Sequence, residues 1–173
     1  MAGEGKRLIE IKPVRDSAEI EIVARLAHEI WNEHYVPIIG LAQVQYMVPK
    51  FQSAAAVSAQ IAGKLEYFLI RREGAPAGYF AFERQPDKRS LFLSKLYVRK
   101  DMRGHGLARH ALSYVDSVCR DASLTTIWLT VNKRNPAVGT YERLGFRNVA
   151  AVVADIGGGF VMDDYRMEKA VTG

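Results

Sequence analysis

The run Arg103-Gly104-His105-Gly106-Leu107-Ala108-Arg109-His110 places two glycines and an alanine among four side chains that are, or can become, cationic. Nearly bare backbone beside so much positive charge suits one chemistry, the holding of an anion. Glycine lets a phosphate approach N–H groups that a Cβ would screen. A helix that starts just after such a loop offers further N–H groups with no intrahelical acceptor, at the positive end of its dipole. Arg103 and Arg109 would then add charge-assisted hydrogen bonds at either edge. The competing reading is an ordinary glycine turn with solvated charges. Two common phosphate fingerprints are absent. Arg109 stands where a dinucleotide loop has its third small residue, and no G-x-x-x-x-G-K-[ST] run occurs.

The elements that must position this loop are legible around it. Upstream, Leu8 to Ile11 alternates weakly up to Pro13 and reads as a strand. Asp16 is an N-cap with Glu19 as its capping-box partner, ahead of Ile20, Val23, Ala24, Ala27, Ile30 and Trp31 at helical spacing. A second helix is expected over Gln43–Ile61, ended by Gly63. Three strands follow, at Tyr67–Ile70, Gly78–Glu83 and Leu91–Val98, separated by turns at Gly74–Pro76 and Gln85–Ser90. Ser94 and Lys95 interrupt the last run, which places part of it toward a cleft or solvent. After the glycine loop, Leu107, Ala111, Tyr114, Val115 and Val118 mark a helix ending near Arg120, and Thr126–Val131 is a strand. That strand–helix–strand unit implies a parallel pair with a right-handed crossover. Asn135 as N-cap and Pro136 at the first helical position open another helix, closed by Gly145. Two strands, about Asn148–Ile156 and Phe160–Glu168, flank Gly157-Gly158-Gly159.

The 173 residues, 49% hydrophobic and 25% charged, fit one α/β domain over residues 1–173 and exclude disordered or fibrous classes. No apolar run approaches the ~20 residues of a membrane span, and the N-terminal stretch has no apolar signal region, so a cytoplasmic protein is expected. Cys119, the sole cysteine, falls at helical spacing after Ala111 and Val115 and reads as a packed thiol. The four histidines, His28, His34, His105 and His110, make no metal spacing, so no metal is expected. The net charge of +5 has its local excess between Arg99 and Arg109. Without a zinc finger, basic tail or RNP-like aromatic motif, a phosphate-bearing small ligand fits better than a nucleic acid.

The stretch SKLYVRKDMRGHGLARHAL resembles motif A of the GNAT superfamily of acyl-CoA N-acyltransferases. Its R/Q-x-x-G-x-G/A pattern falls on Arg103, Gly106 and Ala108, after Leu96-Tyr97-Val98. TVNKRNPAVGTYERLGFRN is similar to the family's motif B, with Ala137, Tyr141, Gly145 and Phe146 in step, and DDYRMEKAV is like its last strand. Motif A covers about 91–121 and motif B about 126–146, and the resemblance extends over about residues 65 to 169. It implies a mixed, mostly antiparallel sheet of about seven strands with a central splayed parallel pair and about four helices. It also implies acetyl-CoA as acyl donor. Pantetheine would pair with the backbone of Leu96, Tyr97 and Val98, with pyrophosphate on the N–H groups of Arg103, Gly104, His105, Gly106, Leu107, Ala108 and Arg109.

Acyl transfer to an amine needs a neutral amine, a stabilised oxyanion and a protonated leaving thiolate. By the resemblance, the Leu96 N–H is the oxyanion donor and Tyr141 the proton donor to the CoA sulfur. Tyr141 also fits as a packing aromatic beside Val138 and Leu144. Many relatives carry a glutamate on the central strand where this chain has Ser94, so Glu33, His34 and Glu83 are the candidate bases, Glu33 first. Relatives have an asparagine seven residues before the tyrosine, where Arg134 stands. Asn135 is the candidate pantetheine contact, although an N-cap role also explains it. The acceptor wall is expected from Trp31, His34 and Tyr35, with Glu83 and Ser94, and resembles that of bacterial polyamine acetyltransferases loosely. A small-molecule amine is the first expectation. A protein N-terminus or lysine, and a non-catalytic acyl-CoA-binding module, are the alternatives. The resemblance also allows a homodimer through the Gly157–Gly159 hairpin or the last strand.

Overall fold

The computed structural model describes residues 8–172. Residues 1–7, part of the stretch read for a targeting signal, lie outside them. Seven strands and six α-helices follow in the order β1 (Ile9–Pro13), α1 (Ser17–His34), α2 (Val36–Ile39), α3 (Leu41–Phe51), α4 (Ala54–Ala62), β2 (Glu66–Arg72), β3 (Ala75–Gln85), β4 (Ser90–Val98), α5 (Leu107–Asp121), β5 (Thr126–Asn132), α6 (Ala137–Arg143), β6 (Arg147–Gly157) and β7 (Phe160–Ala170). The strands form one sheet in the order β1-β2-β3-β4-β5-β7-β6. The β4–β5 pair is parallel, while β1–β2, β2–β3, β5–β7 and β6–β7 are antiparallel. This is the expected mixed sheet with its parallel pair, and no described helix is long and apolar enough to cross a membrane.

The chain divides into two compact units, one running to Phe82 with Lys95–Leu112, the other Glu83–Ser94 with Ser113 onward. In the first, α1 starts as its sequence dictates, with Asp16 accepting from the Glu19 N–H at 2.8 Å. The return bond differs from a standard capping box: Glu19 Oε2 accepts from the Arg15 N–H, one residue before the cap. Val23, Ala27 and Ile30 of α1 are buried with Val44 and Met47 of α3 and Val57 of α4. Phe68 stacks on Phe80 and Phe82 with centroids 5.0 and 5.3 Å apart. Burying each such side chain stabilises by about 1.5–3 kcal/mol.

Two expectations fail in this unit. The single helix over Gln43–Ile61 is two helices, because the chain breaks at Gln52-Ser53 and Ser53 caps α4 by accepting from the Ala56 N–H. Pro49, inside α3, removes one helical hydrogen bond a turn before the break. With α2 and this split, the described residues hold six α-helices, where about four were expected. The β2–β3 turn is Glu73-Gly74, at φ 52° and 81°, rather than Gly74–Pro76. Pro76 is already in the strand, opposite Arg71 beside a register shift. Two positive φ angles in a two-residue loop match the right-handed twist of a hairpin.

In the second unit, Ile127, Leu129 and Val131 alternate along β5 and are buried with Val115, Cys119, Phe146 and Met167. Cys119 is the packed thiol expected, its pKa pushed up to about 11 chiefly by burial. Lys169 Nζ binds the buried Asp116 carboxylate at 3.2 Å. The helix expected to start at Pro136 starts one residue later, with Pro136 as the flanking residue. Asn135 still serves that end, its Oδ1 accepting from the Ala137 N–H at 2.9 Å.

Candidate functional site

The glycine loop begins where β4 ends. A single 3₁₀ turn at Lys100–Met102 delivers an extended Arg103, and Gly104 and Gly106 adopt φ of 82° and 78° before α5 starts at Leu107. Those angles alone favour glycine. A Cβ at either position would meet no heavy atom within 4 Å, so the space above the loop is open. After Arg103, whose N–H donates to Lys100 O at 3.3 Å, the next backbone N–H to find a carbonyl is that of His110, which donates to Gly106 O at 3.0 Å. Among the described residues, the N–H groups of Gly104, His105, Gly106, Leu107, Ala108 and Arg109 have no acceptor. Six free donors at the positive end of a 15-residue helix form an anion cradle.

The two arginines of the loop are committed differently. Arg103 folds back: its Nε donates to Val98 O at 3.0 Å, and its two terminal nitrogens grip both Glu33 oxygens at 3.2 and 3.0 Å. It thereby ties the loop to β4 and α1, and both oxygens of the first-ranked base candidate are engaged. Arg109 and His105 are exposed and make no ion pair among the described residues. Leu96, Tyr97 and Val98 are half-buried, and β3 runs tight against them: a Cβ on Gly78 would lie 2.3 Å from Tyr97 O.

The aromatics expected to line an acceptor wall do gather. Trp31 stacks on Tyr35 at 4.2 Å and meets Tyr97 edge-on at 5.7 Å, while Tyr35 and His34 meet at 4.9 Å. Tyr79 adds a fifth ring 5.3 Å from Tyr97 and donates its hydroxyl to Gln52 at 3.0 Å. Trp31 Nε1 is buried without an acceptor at hydrogen-bond geometry. The indole still favours the ionised form of the Tyr79 hydroxyl, a weaker effect than the burial that holds that hydroxyl's pKa well above its usual value.

Lys95 overturns the expectation that its part of β4 faces a cleft or solvent: it is 7% exposed. Its ammonium donates to Phe51 O and Gln60 Oε1, each at 2.8 Å, and to the Tyr67 hydroxyl. All three protons are therefore placed, and burial lowers its pKa to about 7. This knot joins the α3–α4 break to β2 and β4. A lysine interrupting an apolar strand is its one trace in the sequence.

The remaining candidates belong to the second unit. Tyr141 is half-buried on α6, its ring edge-on to Phe146 at 5.5 Å. Gly145, at φ 101°, ends that helix, and the Phe146 N–H returns to Tyr141 O at 3.0 Å. Asn135 is buried, and Glu83 and Ser94 are half-buried. The β4–β5 ladder is short, with pairs only from Ser90↔Thr126 to Phe92↔Trp128. Beyond Trp128, β5 continues to Asn132 with β7 as its ladder partner. Asp164 of β7, which no pattern in the sequence singles out, is 5% exposed, and burial raises its carboxyl to about 6, with a smaller contribution from Asp163. Among the described residues no group of three or more His, Cys, Asp or Glu side chains could hold a metal ion.

The profile of the acetyltransferase (GNAT) family matches residues 25–146, well over half of the chain. The chain belongs to that family. This acetyltransferase is similar to the PaiA N-acetyltransferase of Thermoplasma acidophilum, solved in complex with coenzyme A, at 18% identity over 94% of this chain and 98% of that one (TM-score 0.75). It is similar to a GCN5-related N-acetyltransferase of Rhodopseudomonas palustris at 13% identity over 94% and 96% (TM-score 0.79). A ribosomal-protein-alanine N-acetyltransferase from Escherichia coli matches at 15% identity over 96% of each chain (TM-score 0.70). Likeness at these identities establishes the fold. The family match makes the acetyltransferase an acyl-CoA-dependent enzyme.

Proposed function

We propose that the enzyme transfers the acetyl group of acetyl-CoA to the primary amine of a small molecule. The row of six unpaired N–H groups from Gly104 to Arg109, under open space, carries the donor half of this reading. It fits a pyrophosphate, and Arg109 adds uncommitted positive charge beside it, with the exposed His105 imidazole as a further polar group. The backbone of Leu96–Val98 takes the pantetheine amides as an added strand, with Asn135 as a further contact. The Leu96 N–H donates to the thioester oxygen as negative charge develops there.

On the acceptor side, Trp31, Tyr35 and Tyr97 offer aromatic surface to a partly apolar amine, with His34, Glu83 and Ser94 as polar contacts. The nitrogen attacks the thioester carbon, the C–N bond forms, and the C–S bond breaks. Tyr141 gives its phenolic proton to the departing thiolate and is replenished by the second proton lost from nitrogen. An ammonium has a pKa of about 10.4 and must first lose one proton to a base.

Calorimetry with acetyl-CoA, followed by thiol release across a panel of polyamines, aromatic amines, amino acids and peptides, tests this reading. Micromolar binding with turnover on one class of small amine is expected. Turnover on peptides alone makes the acceptor a protein, binding without turnover makes the chain an acyl-CoA-binding module, and absence of binding overturns the proposal.

A further inference from the structure

Glu33 stands where its own helix disfavours a carboxylate. It lies in the last turn of α1, at the negative end of the helix dipole. Arg103, seventy positions along the chain, offsets that cost. Its two terminal nitrogens donate one to each Glu33 oxygen, at 3.2 and 3.0 Å, and its Nε donates to Val98 O at 3.0 Å. A two-pronged pair of this kind fixes direction as well as distance. One turn earlier on α1, Glu29 meets Arg99 at 3.6 Å. Two carboxylates four residues apart on the helix thus meet two arginines four residues apart beyond β4.

The glycine loop has little else to hold it on this side. Gly104 and Gly106 carry no side chain, and the N–H groups from Gly104 to Arg109 find no acceptor among the described residues. The Arg103 N–H donates to Lys100 O at 3.3 Å, a long bond. On the far side Leu107, 2% exposed, anchors the start of α5 in the core. Glycine loses more conformational freedom on being ordered than any other residue. A loop of this composition therefore binds an anion more tightly when its ends are held beforehand. Leu107 holds one end, and the Arg103 fork holds the other.

We propose that Arg103 is a positioning residue: fastened to Glu33 and Val98 O, it sets the glycine loop for the donor pyrophosphate and does not itself touch the phosphate. This rests on the donor half of the acetyl-transfer reading above. It gives Glu33 a task other than accepting a proton, because a permanently charged guanidinium engages both of its oxygens. Arg109, exposed and outside any ion pair among the described residues, remains the cation that the loop offers to the ligand.

Calorimetry with acetyl-CoA, and steady-state kinetics with an amine from the panel above, test this on wild type, Glu33→Gln, Arg103→Met, Arg103→Lys and the Glu33→Gln/Arg103→Met double variant. Glu33→Gln preserves shape and is expected to fold, and melting temperatures check every variant. The paired side chains are 36% and 30% exposed, so the effect is moderate. Glu33→Gln and Arg103→Met should each raise the Kd and KM for acetyl-CoA about fivefold, with kcat within about twofold. The double variant should be no worse than the weaker single one, because the two side chains act as a unit. Lysine at 103 should fare no better than methionine, since a point charge cannot serve Val98 O and both carboxylate oxygens at once.

The rival roles predict different signs. If Arg103 is a phosphate ligand, Glu33→Gln releases it, acetyl-CoA binds at least as tightly as to wild type, and Arg103→Lys keeps most of the affinity. That result overturns the proposal. If Glu33 is the base, Glu33→Gln lowers kcat at least about tenfold with the Kd unchanged, which overturns it equally. Either outcome leaves the acetyl-transfer reading standing. If wild type itself neither binds nor consumes acetyl-CoA, both fall together.

Discussion

Tyr141 illustrates how little a residue's packing reveals about its chemistry. A ring edge-on to Phe146 at 5.5 Å is what a packing aromatic on a short helix would make, and what a held proton donor would make too. Kinetics separate the two roles. Tyr141→Phe keeps the ring and removes the proton. We expect kcat to fall at least about tenfold with acetyl-CoA affinity nearly intact. Unchanged kcat would return Tyr141 to a packing role. Arg103 makes the complementary point. Its spacing in the loop suggests an anion ligand, yet its guanidinium is directed to Val98 O and Glu33, residues five and seventy positions away. No local pattern announces a partner that distant.

At the level of elements, β4 and its neighbours are held by contacts of two kinds. One is steric. Gly78 lets β3 lie against Tyr97, where a Cβ would sit 2.3 Å from the carbonyl oxygen. Gly78→Ala should force the strands apart, costing about 2–3 kcal/mol and lowering the melting temperature by about 5 °C or more. It should also raise the Kd for acetyl-CoA, because the displaced backbone is the segment assigned to pantetheine. A melting temperature unchanged within a degree would show that β4 gives way without cost. The other contact is polar. Lys95, Gln60, Tyr67 and Phe51 O close a network at the very break that divides α3 from α4. The alanine-rich run from Ala54 to Ala62 invites one long helix. Ser53 as a cap is the available sign of two, and the Lys95 knot is what makes the break a fixed corner.

For the whole molecule, the buried titratable groups set how stability depends on pH. Lys95 has a pKa of about 7 in the folded protein against an ordinary lysine value of 10.5, so between those values the unfolded chain holds a proton that the folded chain does not. Stability therefore rises with pH across this window. From pH 7 to 9 the gain is on the order of 2 kcal/mol. Above pH 9 the raised pKa values of Cys119 and Tyr67 oppose it. Asp164, raised to about 6 from 3.8, acts in the acid range with the opposite slope: its contribution is lost as pH rises from about 4 to 6. Denaturant unfolding of wild type and Lys95→Met at pH 7 and pH 9 checks the first claim. The increment should appear in wild type and vanish in the variant, and equal increments in both would show that Lys95 does not titrate in this range.

The order of elements, the parallel pair and the glycine loop were legible in the sequence because local rules produce them: apolar periodicity, caps, and glycines where φ must be positive. The family resemblance rested on those same local patterns, and the match over residues 25–146 agrees with it. Three things depended on tertiary structure alone: the fold-back of Arg103 onto Glu33, the burial of Lys95, and the burial of Asp164. A charged side chain reads the same in sequence whether it is solvated, paired or buried. Only the packed chain determines how much water and which partners each of them keeps, and those set its charge and its chemistry.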